Sequence, residues 1–269
     1  MTDTAALRLP AGVCDGHFPG QAIVPGFALL AAAWSHYVSQ AAADPATREG
    51  PRTRIVGVRS ARFRHTVAPS EALSVAGRRD GDIVRLDVRR DGAIVADAAF
   101  VLGELRGLAP SGAAIDREPS SARELPAAEL DARLPHRAPV RMLRTLIRQD
   151  DDGIVCAARV AADYSLVSNG HVTVLAAVEA AAQAAAFWGA ATGAWKQAAN
   201  SGPRIGYLVG VRDVSWAAST IAADKAFVVS ARLVAIAEPL THYAIEATVD
   251  GRTILQGSIA TVVAKPLRQ

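Results

Sequence analysis

Two kinds of hydrophobic patterning follow one another along the chain, and the pair occurs twice. Segments 27–43 and 173–192 are alanine-rich, almost continuously apolar and free of proline, which predicts buried helices. Each gives way to stretches in which apolar and polar residues alternate with period two. In the first half these are VRSARFRHTV, ALSVAGRRD and IVRLDVRRDGAIVADAAFVLGEL; in the second they are VRDVSWAAS, KAFVVSARLVAIAE and HYAIEATVDGRTILQGSIATVVA. The alternation predicts antiparallel strands. Between helix and strands each half carries VGVR, at 56–59 and at 209–212. Late in each half an Asp-Gly pair, Asp91-Gly92 or Asp250-Gly251, predicts a tight hairpin.

The ordered recurrence of helix, VGVR and Asp-Gly hairpin indicates a duplication. Residues 107–125, GLAPSGAAIDREPSSAREL, are rich in Gly, Pro, Ser and Ala and read as a linker. The expected organisation is an N-terminal unit at 1–106 and a C-terminal unit at 126–269. Each is one helix followed by several strands, an α+β arrangement too small to bury much core alone. Packed edge to edge, the two would give one continuous antiparallel sheet wrapped around two central helices.

Composition narrows this only slightly. Of 269 residues, 51% are hydrophobic and 20% charged, an ordinary globular balance. The net charge of +3 is mild, and the arginines are scattered rather than interleaved with aromatics. They read as solvated strand faces or a docking patch for an acidic partner, not as a nucleic-acid surface. Cys14 and Cys156 form neither a metal-ligand spacing nor a disulfide framework. The start, MTDTAALRLPAG, has no signal-peptide pattern. Segment 173–193 approaches the length of a membrane span, but Glu179 and Gln183 near its middle favour a core helix. The expectation is therefore a cytoplasmic protein with no membrane span.

Chemistry concentrates in two places. CDGHFPGQAIVPGF, at 14–27, sets His17 in a loop stiffened by glycines and prolines just before the first helix. In the second helix Glu179 lies among Leu175, Ala176, Ala182 and Ala186, with Gln183 one turn on. Helix geometry alone leaves Glu179 either on a buried face or on an exposed flank. If buried, it needs a hydrogen-bond partner, which Gln183 can supply, and desolvation should raise its pKa toward that of a general acid. The first helix offers Ser35 and His36 but no carboxylate, and His36 reads as an ordinary helical histidine.

The loop GHFPGQAIVPGF resembles the signature of the 3-hydroxyacyl-[acyl carrier protein] dehydratases, which have the hot-dog fold. LPHRAPVRML, at 134–143, is similar to the segment that opens the same dehydratases, and VEAAAQAAAFWG to their E-x-x-x-Q helix. GYLVGVRDVSW and the first-half loop are similar to the two dehydratase-like subunits of the aryl polyene pathway. The resemblance thus implies a double hot-dog made by fusing two such subunits, a pseudo-dimer within one chain; further oligomerisation is left open. In the family an acid follows the loop histidine by fourteen residues, where this chain has Ala31. Counting back from Glu179 gives Ser165, in a loop without HFPG; His171 nearby reads as a surface residue. One competent site, His17 with Glu179, and one dead site are implied.

The implied reaction is dehydration of a 3-hydroxyacyl thioester. His17 would take the α-proton and Glu179 would protonate the leaving hydroxyl. The Gly26 backbone N–H would meet the enolate oxygen, and the Ile23 carbonyl would orient His17. Gln183 completes the substrate-binding set. No metal or cofactor is expected, and the partner is an acyl carrier protein delivering the substrate. Trp34, Phe187 and Trp188 either pack the core or shape an acyl tunnel, and Arg137 and Arg204 are candidate docking points. A hot-dog thioesterase and a non-catalytic carrier-protein-binding subunit are the competing readings.

Overall fold

The computed structural model describes residues 6–43, 54–110, 122–193 and 205–263. Most of the expected linker, and Arg204, lie outside the described residues. The N-terminal half comprises β1 (Ala6–Leu7), α1 (Gly26–Ala43), β2 (Arg54–Phe63), β3 (Leu73–Asp80), β4 (Ile83–Arg90) and β5 (Ala93–Gly103). The C-terminal half opens with β6 (Arg123–Glu124), α2 (Ala127–Arg133), β7 (Leu143–Asp150), β8 (Gly153–Ala158) and β9 (His171–Thr173). It continues through α3 (Ala176–Thr192), β10 (Gly206–Trp216), β11 (Thr220–Ala222), β12 (Phe227–Ala237), β13 (Leu240–Val249) and β14 (Arg252–Val263).

Among the described residues twelve strands make one antiparallel sheet in the order β1-β3-β4-β5-β2-β10-β14-β13-β12-β8-β7-β6, while β9 and β11 pair separately. Outward from the central β2–β10 contact, one half runs β2-β5-β4-β3 and the other β10-β14-β13-β12. The two paths are the same, helix then four strands, so the duplication read from the sequence is a structural one. Its seam is where the VGVR copies meet: Val58 lies opposite Val214 and Ser60 opposite Arg212. The glycine of the first copy has a steric reason, since a Cβ on Gly57 would sit 2.5 Å from the Val214 carbonyl oxygen. The Trp216 indole N–H also crosses the seam to the Ile55 carbonyl, at 2.9 Å. A single core cluster draws on both halves, which makes the chain one folding unit built from two repeats.

Both Asp-Gly pairs turn as expected, with positive φ at both residues: 49° and 81° at Asp91-Gly92, 50° and 73° at Asp250-Gly251. α3 is buried on every side and ends at Gly193 with φ 70°. It starts at Ala176 rather than Thr173 because β9 pairs with β11 through Thr173 and Thr220, keeping the backbone extended to that point. α1 keeps an outer face, with Ser35, Val38 and Ser39 exposed. No described helix is long and apolar enough to cross a membrane. The halves differ in what precedes the helix. Among the described residues the C-terminal one has the β7–β8 hairpin and α2, the N-terminal one only the two residues of β1.

Candidate active site

The loop before α1 is folded around His17. Its backbone N–H donates to the Cys14 carbonyl (2.8 Å), and its carbonyl receives the Ile23 N–H (2.9 Å). Phe18 and Gln21 exchange two further bonds. The ring Nδ1 lies 2.8 Å from the Ile23 carbonyl oxygen. A carbonyl only accepts, so Nδ1 carries the proton and Nε2 is left with its lone pair. Phe18 stacks on the ring with centroids 4.1 Å apart. Burial pushes the imidazole down to about 4, against the charge of Glu179, so it is neutral at pH 7.

A second loop, between α2 and β7, interlocks with the first. The Arg137 N–H donates to the Gly16 carbonyl (2.9 Å). Gly16, at φ 80°, lies so close that a Cβ would come within 2.2 Å of the Arg137 carbonyl oxygen. This contact brings His136 beside His17, ring centroids 5.2 Å apart, with Phe18 edge-on to His136 at 4.8 Å.

Glu179, in the first turn of α3, is only 3% exposed, so the buried placement is the one adopted. Gln183, fully buried one turn on, donates to Glu179 Oε1 at 3.0 Å and to the Val140 carbonyl at 2.9 Å, and accepts the Met142 N–H at 2.9 Å. It supports the carboxyl and the His136 loop together. It is absent from the lining of the cavity, so it holds the site from behind rather than touching substrate as expected. His136 Nε2 lies 3.3 Å from the same Oε1. Desolvation pushes Glu179 up, as anticipated, but the His136 hydrogen bond, the neighbouring imidazoles and Gln183 outweigh it and hold the carboxyl down at about 2.

One atom each from His17, His136 and Glu179 lie within 4.8 Å of one another. All three line a cavity of about 250 Å³ between the halves. Gly26, first residue of α1, lines it too, held against Phe63, whose ring a Cβ would meet at 2.8 Å. The cavity continues along α3 past Ala182 and Ala186, about two helical turns from the carboxyl. Two imidazoles and a carboxylate are residue types a metal could use, but an ion here would have to displace the His136–Glu179 hydrogen bond. As arranged, the group sets a neutral imidazole opposite a buried carboxylate across a small apolar space.

Other residues singled out in the sequence lie elsewhere. His171 is exposed, its Nδ1 2.9 Å from the Asn169 carbonyl. Ala31 and Leu166 line a second cavity, of about 620 Å³, with no carboxylate in its wall. Trp34 packs on Phe100 (5.3 Å), Trp188 donates to the Asp150 carbonyl (2.8 Å), and Phe187 lies under the Arg133 guanidinium (4.8 Å). None of the three lines the first cavity. Arg137 binds the Leu134 and His136 carbonyls of its own loop. Burial pushes Cys14 to about 11 and Cys156 to about 12, so neither is a nucleophile near neutrality. His136 was missed as a functional residue, although the PHR segment that holds it was singled out.

Comparison with known proteins agrees with this architecture. The family model of the ApeP-like dehydratases, described as ApeP dehydratase, matches residues 128–269, just over half of the chain. The chain is 35% identical over 95 residues to the 3-hydroxyacyl-[acyl-carrier-protein] dehydratase FabZ of Thermus thermophilus. That alignment takes in 35% of this chain and 63% of the relative, so the chain spans less than two thirds of the curated relatives it matches. Among solved structures, the dehydratase domain of PpsC from Mycobacterium tuberculosis, in complex with C12:1-CoA, superposes with TM-score 0.63 at 17% identity. The match covers 97% of this chain and 92% of that one. A monomeric dehydratase domain from a trans AT polyketide synthase split module gives TM-score 0.66 at 10% identity, over 97% and 98% of the two chains. At such identities these likenesses establish the fold, a double hot-dog. With the family match over its C-terminal half, the chain belongs to the ApeP-like dehydratases.

Proposed function

We propose that this chain dehydrates 3-hydroxyacyl thioesters to trans-2-enoyl thioesters at one composite site. The observation that carries the reading is the convergence of His17, from the N-terminal repeat, and Glu179, from the C-terminal repeat, on one cavity. His17 Nε2 takes the α-proton. The electron pair moves onto the thioester oxygen, which meets the Gly26 N–H at the start of α1, and returns to form the α–β double bond. The β-carbon–oxygen bond breaks, and the hydroxyl leaves as water with a proton from Glu179. In the reacting form Glu179 carries its proton against the downward pull of its hydrogen-bond donors, while His17 stays neutral.

The Thermus relative's name supports a carrier-protein thioester as the substrate form. Arg64 lines the cavity beside His65 and is partly exposed, its guanidinium bonded to Asp97 at 2.7 and 2.9 Å. Arg137 is likewise engaged, with the carbonyls of its own loop.

The test is product analysis with the purified chain and a 3-hydroxyacyl carrier-protein thioester. The expected product is the enoyl thioester, with His17→Ala and Glu179→Ala each lowering the rate by about 10²–10⁴-fold. Free acid and thiol would instead make it a thioesterase. Carrier binding without turnover would make it a scaffold.

A further inference from the structure

We propose that His136 is a positioning residue that, together with Gln183, clamps one oxygen of Glu179 so that the other delivers the proton. The inference rests on the dehydratase reading above and assigns the reacting oxygen within it. Gln183 donates to Oε1 at 3.0 Å, and His136 Nε2 lies 3.3 Å from the same oxygen. Among the described residues no hydrogen bond reaches Oε2, and Glu179 lines the cavity. A carboxyl held this way cannot rotate without breaking both contacts, so in its protonated, reacting form the proton sits on Oε2.

The clamp is a closed ring. Gln183 also fixes Val140 and Met142, which lie just beyond His136 in the same loop, so each donor to Oε1 holds the other in place. His136 is 5% exposed, and among the described residues its Nδ1 has no hydrogen-bond partner. An N–H there would be a buried orphan donor, so the tautomer with the proton on Nε2, aimed at Glu179, costs least. The titratable groups that act on Glu179 are His17 from the loop before α1, His136 from the loop before β7, and Tyr164 from the loop before β9. Tyr164 is occupied, its hydroxyl donating to the Val13 carbonyl at 3.2 Å. His136 is therefore the group whose removal most directly frees the carboxyl.

The experiment compares His136→Phe, which keeps bulk and loses the donor, with His136→Gln, whose amide can replace Nε2–H. Steady-state kinetics across pH are read alongside ¹³C NMR titration of the Glu179 carboxyl. His136→Phe should lower kcat about 10-fold or more while KM changes less than about twofold. The basic limb of its kcat profile and the carboxyl titration should both move to higher pH, and His136→Gln should recover part of each change. Loss of kcat with neither limb nor titration displaced would overturn the clamp and leave a packing role. The NMR titration does not depend on turnover. A shifted titration in a protein that turns over no 3-hydroxyacyl thioester would sustain the clamp and reject the dehydratase reading.

Discussion

His17 is 8% exposed and held neutral by its surroundings, which ties stability to pH as well as readying a base. Its folded pKa, about 4, lies below the ordinary 6.5. The folded state therefore resists a proton that the unfolded chain accepts. The stability this confers is complete above about pH 6.5 and is lost as pH falls toward 4, on the order of 3 kcal/mol in all. Glu179 acts in the same direction lower down: held at about 2 against 4.5, its contribution is present above 4.5 and fades as pH falls further. Urea unfolding should show the wild type losing stability between pH 7 and pH 5, with a shallower loss in His17→Gln. Equal slopes would show that His17 is not buried neutral. At this scale His17, Glu179 and Gln183 were legible from the rigid loop and from an acid and amide one turn apart on an apolar helix. His136 was not, because a histidine in an irregular segment carries no periodicity. Its burial comes from Phe18 and its bond from Glu179, both distant in sequence. The direction of the Glu179 shift was missed for the same reason: burial is readable from a helix face, a donor from another loop is not.

Two loops and one helix build the site, and their junctions are narrow. Gly16→Ala would drive a methyl into the Arg137 backbone, and at φ 80° the substitution is strained in any case. The expected result is a folded protein with activity reduced at least tenfold, because His17 and His136 are pushed apart; near-normal activity would show that the loops do not depend on this contact. Gln183→Leu would leave the Met142 N–H and the Val140 carbonyl buried without their partner. The cost should be about 1–3 kcal/mol for each orphaned group, read as a lower urea midpoint. A change below about 0.5 kcal/mol would contradict the bracing role. The two long helices and both Asp-Gly hairpins were readable because each follows a local rule of period or turn chemistry. The start of α3 was displaced by β9, whose pairing with β11 is a tertiary event. The β7–β8 hairpin escaped because no repeat partner in the first half announced it.

The whole molecule is a symmetric scaffold with asymmetric chemistry. The same strand path occurs on both sides of the β2–β10 seam, yet the two helices differ at one decisive place. α3 carries Glu179 opposite the loop of His17, while α1 carries Ala31 opposite a loop with Leu166. That asymmetry was visible in the sequence because the repeat supplied its own internal comparison. The central claim is that both halves of one chain build one working site. It is tested most directly by mixing purified His17→Ala with purified Glu179→Ala and assaying the mixture for enoyl thioester. The two residues meet within a chain, so the mixture should be no more active than the sum of its parts. Recovery of a large fraction of wild-type activity on mixing would contradict the account, since it would mean that the histidine and the acid are paired between chains.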